Sequence, residues 1–79
     1  MLRIAISGAA GRMGRRLAAL AIASEQYDIV SALEAAGHAD QGKDIGALAG
    51  AGPFGVAVTE TLTDRPEVLI DFSQPEGTL

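Results

Sequence analysis

Ile4-Ala5-Ile6-Ser7-Gly8-Ala9-Ala10-Gly11-Arg12-Met13-Gly14 is the stretch that decides the fold. An apolar strand, Leu2 to Ser7, runs into a glycine-spaced turn. Directly behind the turn, Met13, Leu17, Leu20 and Ala21 recur at helical spacing, which predicts a helix from Arg12 to about Ser24. Glu25-Gln26-Tyr27 breaks that pattern, and Asp28 to Glu34 reads as a second strand. Strand, helix and strand in so few residues make one βαβ unit, for which parallel strands and a right-handed crossover are expected.

Each glycine of the turn has its own expected task. Gly8 lets the backbone leave the strand sharply, Gly11 lets N–H groups approach a pyrophosphate, and Gly14 lets the helix pack closely on the sheet. The helix N-terminus adds unpaired N–H groups and partial positive charge. Glycine turns also join ordinary strands and helices, but the βαβ context makes a dinucleotide cradle the stronger reading. Glu34 closes the second strand twenty residues beyond Gly14, where a carboxylate accepts hydrogen bonds from an adenosine ribose. That carboxylate repels a 2′-phosphate, and Ala35 and Ala36 supply no offsetting cation. NADH is therefore favoured, with NADPH kept open because Arg12 can lean over from the turn.

Residues 37–55 hold six of the ten glycines and Pro53, and read mostly as loop with a short helical turn at Asp44 to Ala49. Gly55 to Val58 is expected as a third strand and Thr59 to Pro66 as a polar connection. Glu67 to Phe72 is expected as a fourth strand, buried on both faces. The whole predicts an α/β fold, a partial Rossmann-type and mostly parallel sheet of about four strands with flanking helices. Phe72 and Ser73 at the end of the fourth strand face the same crevice as Gly8. There Phe72 is suited to cover an apolar ring and Ser73 to bond a ribose, although a plain strand-to-helix connection explains them equally well. Asp71 reads as a local backbone anchor. His38, Lys43, Arg15 and Arg16 read as solvated residues.

Seventy-nine residues hold one small domain with a small core. With no cysteine and a single histidine, neither a disulfide nor a metal site is expected to support it. A net charge of −4 argues against a nucleic-acid partner. The distribution is more informative: Arg3, Arg12, Arg15 and Arg16 place four of the six basic residues around the glycine turn, and all ten acidic residues lie beyond it. No targeting segment is visible, and Leu17 to Ala23 is too short to span a bilayer, so a cytoplasmic protein without membrane contact is expected.

The string from Ile4 to Arg15 resembles the N-terminal signature of bacterial dihydrodipicolinate reductases, also called 4-hydroxy-tetrahydrodipicolinate reductases. Arg12-Met13 between the last two glycines carries more of that resemblance than the glycines do. Ala32-Leu33-Glu34, Ala47-Leu48-Ala49-Gly50, and Ile70-Asp71-Phe72-Ser73 followed by Pro75-Glu76-Gly77-Thr78-Leu79 match in the family's order. The resemblance implies that Gly8, Ala9, Ala10, Gly11, Arg12 and Met13 bind the cofactor's phosphates, with Gly14 completing the turn. It also implies that Glu34 binds the adenosine ribose, and that Phe72 and Ser73 lie near the nicotinamide half. The implied activity is hydride transfer from NAD(P)H to a cyclic dicarboxylate in lysine and diaminopimelate biosynthesis, by a homotetramer. Many members carry Arg after the acidic residue, where this chain has Ala35. Members are also roughly three times longer, so the chain is expected to be the first part of a dinucleotide-binding domain, without the substrate domain and with no catalytic residue of its own. Two alternatives remain: the cofactor domain of another two-domain reductase, such as a semialdehyde dehydrogenase, and a non-redox nucleotide-binding module.

Overall fold

A computed structural model describes residues 1–62 and 65–72. Strand β1 (Leu2–Ser7) leads into helix α1 (Arg12–Ala23) and strand β2 (Tyr27–Leu33). Helix α2 (Ile45–Leu48), strand β3 (Val58–Thr59) and strand β4 (Val68–Asp71) follow. The four strands form one sheet in the order β3-β2-β1-β4, and every pairing is parallel. This is a partial Rossmann-type α/β fold, as the sequence predicts.

One apolar cluster holds the layers together. Ile4 and Ile6 of β1, Ile29 and Ala32 of β2 and Val58 of β3 meet Ala18 and Ala21 of α1 and Ile45 of α2. The helix face that packs differs from the one its large residues suggest. Gly14, Ala18 and Ala21 are its buried positions, whereas Met13 and Leu20 are exposed. Small residues at that spacing let the helix approach the sheet more closely than a Met–Leu stripe allows.

Two strand expectations need correction. Gly55 has φ +100°, which breaks any extended run there, so β3 begins at Val58, and Asp44 and Ala57 form only an isolated antiparallel bridge. β4 is not buried on both faces: Val68 is 40% and Leu69 54% exposed. The cause is its position, because among the described residues it lies at the sheet edge with β1 as its one neighbouring strand. An apolar run states what a strand prefers to bury; it does not state whether a neighbour is present to cover it.

Between α2 and β3 the chain is organised by Asp44. Its carboxylate accepts hydrogen bonds from the N–H groups of Ala47 (3.0 Å), Phe54 (2.8 Å) and Gly55 (2.7 Å). It thus caps α2 and closes the loop that returns to β3. These bonds, led by those from Phe54 and Gly55, hold its pKa below the usual aspartate value.

Candidate dinucleotide-binding site

The glycine turn stands at the carboxyl end of β1, between β2 and β4. Gly8 adopts φ +74°, a left-handed conformation that sends the chain off the strand. Its N–H and that of Ala9 both donate to the Leu33 carbonyl, at 2.9 and 3.1 Å, anchoring the turn to the end of β2. Gly11 N–H donates back to Gly8 O at 3.1 Å. A Cβ on Gly14 would collide with the Gly8 carbonyl and lie 2.7 Å from Ala9 Cα. A Cβ on Gly11 would meet only Gly8 O, at 3.4 Å, an ordinary contact. Crowding within the protein therefore requires glycine at position 14 and does not require it at position 11. What Gly11 leaves open is space outside the chain.

The first turn of α1 is unprotected. Gly11 provides no side-chain cap, and no acidic residue stands in that turn. Its leading N–H groups have no acceptor within the helix. Arg12, Arg15 and Arg16 crowd the end where the helix dipole already disfavours cations. Both features suit an anion held at this terminus.

Two clefts meet at the turn. One, of about 500 Å³, is lined by Gly8, Gly11, Arg12, Met13, Gly14 and Phe72. The other, of about 590 Å³, runs from Ser7, Gly8 and Gly11 past Glu34 and Ala35 to His38, Glu60 and Phe72. Phe72 borders both, fixed by its N–H donating to Ser7 O at 2.8 Å. Ala9 and Ala10 are buried, so they contribute backbone and not surface. Glu34 stands just past β2, and its Oε2 accepts the Ala10 N–H at 2.8 Å. Ser73 lies outside the described residues.

Several neighbours escaped the sequence reading. Arg15 is not simply solvated: its Nε donates to Ala10 O at 2.7 Å and a terminal nitrogen reaches Asp40 at 3.5 Å. Lys43 Nζ pairs with Asp40 Oδ1 at 3.1 Å, and His38 Nδ1 accepts the Asp40 N–H at 3.0 Å. The hydrogen bond from Lys43 is the leading reason why the Asp40 pKa is lowered; its own desolvation opposes this, and the charges of Lys43 and Arg15 add to the lowering. Gln41 Nε2 donates to the carbonyls of Glu34 and Ala35, at 2.9 and 3.0 Å, which fixes the segment carrying Glu34. No spacing rule ties positions 15, 38, 40 and 43 together; only the folded βαβ unit brings them to one place.

A parallel sheet, a glycine turn feeding a helix N-terminus and an acidic residue closing the second strand define a Rossmann-type dinucleotide-binding domain. Comparison with protein families carries this further. The family described as dihydrodipicolinate reductase, N-terminus, matches residues 2–79, and the chain belongs to that family. It is the NAD(P)-binding part of an oxidoreductase. No helix among the described residues is long and apolar enough to cross a membrane.

Proposed function

We propose that this chain binds the adenosine and pyrophosphate portion of NADH, in preference to NADPH, for a reductase acting on a cyclic dicarboxylate in lysine and diaminopimelate biosynthesis. The observation that carries the reading is a single juxtaposition. Across one cleft, an uncapped, arginine-rich helix N-terminus faces a carboxylate already oriented by the glycine turn.

In this reading the N–H groups of Arg12, Met13 and Gly14, with the Arg12 side chain, hold the pyrophosphate. The backbone of Gly8 to Gly11 shapes the turn, because all four of its N–H donors are engaged within the protein. Glu34 uses one carboxylate oxygen on Ala10 and offers the other to the ribose hydroxyls. Phe72 and Ser73 approach the nicotinamide side. The reduced nicotinamide itself supplies the hydride; the residues here bind and orient. We assign none of them to acid–base catalysis. Substrate-holding and catalytic groups belong to a second domain, in a cytoplasmic homotetramer.

Calorimetric titration of the folded chain with NADH and NADPH tests this. Saturable binding, tighter for NADH, is expected. Glu34→Ala should weaken NADH by about tenfold or more, the scale of a hydrogen bond to a charged group, while sparing NADPH. Equal loss of both nucleotides in Glu34→Gln, which keeps an oxygen for the Ala10 N–H, would remove Glu34 from the ribose.

A further inference from the structure

The segment after β2 is built around one carboxylate. Asp40, whose side chain is only 14% exposed, meets Lys43 at 3.1 Å, Arg15 at 3.5 Å and His38 at 3.9 Å. The cluster adjoins the end of the cleft where Glu34 stands. His38 lines that cleft together with Glu34 and accepts the Asp40 N–H, so Asp40 is one hydrogen bond behind the cleft wall. Arg15 is joined to the glycine turn through Ala10 O, whose own N–H is bound to Glu34. Arg15 is thus tied to the turn that Glu34 also holds, and Lys43 to Asp40, so Asp40 gathers two full cations behind the part of the cleft wall formed by Glu34 and His38.

We propose that Asp40 is a specificity-determining residue. By offsetting one of the two positive charges of Arg15 and Lys43 and holding both side chains, it withholds counter-charge from a 2′-phosphate, and so favours a dinucleotide with a free 2′-hydroxyl. This rests on the dinucleotide reading given above. Glu34 repels the 2′-phosphate directly, and Glu60 adds a second carboxylate to the same cleft. Asp40 acts on the remaining term, the cations that would otherwise offset them. It touches no cofactor atom in this account; it sets the charge of those that stand near one.

The test uses opposite charge changes at two positions of the full chain, read as the ratio of NADPH to NADH affinity by calorimetry. Asp40→Asn leaves Arg15 and Lys43 unneutralised and should raise the ratio about three- to tenfold, a gain that shrinks as salt is raised above about 0.15 M. Lys43→Gln, at a side chain 57% exposed and safe for folding, should lower the ratio by a similar factor. The double variant should return close to the parent. A merely structural role for Asp40 would weaken both nucleotides together and leave the ratio unchanged. Should Asp40→Asn fail to fold by circular dichroism, the Lys43→Gln arm still decides: an unchanged ratio there overturns the proposal. Parent binding of NADH, with an unchanged ratio in both variants, refutes Asp40 alone. Failure of the parent to bind either nucleotide removes the dinucleotide reading and this inference with it.

Discussion

Gly14 and Gly11 have different expected tasks, and of the two only Gly14 is crowded as its packing role requires. Alanine at 14 would push Cβ into the backbone of Gly8 and Ala9, which no rotamer relieves. We expect Gly14→Ala to lose about 1–3 kcal/mol or more by urea unfolding, exceeding the roughly 1 kcal/mol of helix propensity that alanine returns. Gly11→Ala meets only an ordinary contact, so its stability should hold while NADH affinity falls. Equal unfolding midpoints for the two variants would contradict this division. Ser31 is a separate case. It is buried in β2, and among the described residues its hydroxyl has no hydrogen-bond partner. Ser31→Ala removes an unsatisfied polar group and should be neutral or stabilising by up to about 1 kcal/mol; clear destabilisation would reveal a partner for that hydroxyl.

At the scale of elements, β1, α1, β2 and the turn between them were legible because their signals are local: apolar runs, helical spacing and glycines at fixed offsets. β3 was shifted because Gly55 takes a left-handed conformation that composition does not disclose. The cluster around Asp40 was illegible for a different reason, since its members come from a helix and a loop that meet only after the crossover closes. Asp44 lies between these cases. A capping aspartate before a short helical turn is readable, but its bonds to Phe54 and Gly55 are not, being ten and eleven residues away. Those bonds predict a pH dependence. A carboxyl whose folded pKa lies below the unfolded value of 3.8 stabilises the fold above that value and loses the contribution as pH falls through the folded pKa. Asp40 acts in the same direction. Thermal midpoints should therefore fall as pH is taken below about 3.8, and part of that fall should disappear in Asp44→Asn, whose midpoint at neutral pH should already be several degrees lower. An acid response identical in parent and variant would show that Asp44 does not contribute to it.

For the whole molecule, the decisive asymmetry is that both helices, α1 and α2, join the sheet through one apolar cluster with Ile4, Ile6, Ile29, Ala32 and Val58. The pairing register, which shifts by one residue in β2 between Ile29 and Ser31, aligns Ala5 with Ser31 and Leu69 on the face opposite Ile4 and Ile6. The connection from β3 to β4 has eight residues, Glu60 to Glu67, fewer than the dozen or more that a helical crossover requires. Among the described residues β4 forms the margin of the sheet, and it bears Val68 and Leu69, both substantially exposed. An apolar edge of this kind, without lysine or proline inside the strand, is a template for pairing with another chain. We expect the chain to self-associate as its concentration rises, through β4. Leu69→Lys places a charge on the exposed face without touching the cluster around Ile4 and Ile6, so it should suppress association while leaving the unfolding midpoint and NADH affinity near their parent values. Sedimentation velocity over a wide range of concentration separates the outcomes. A parent that stays monomeric throughout, or a Leu69→Lys chain that associates as the parent does, would mean that this edge is already protected.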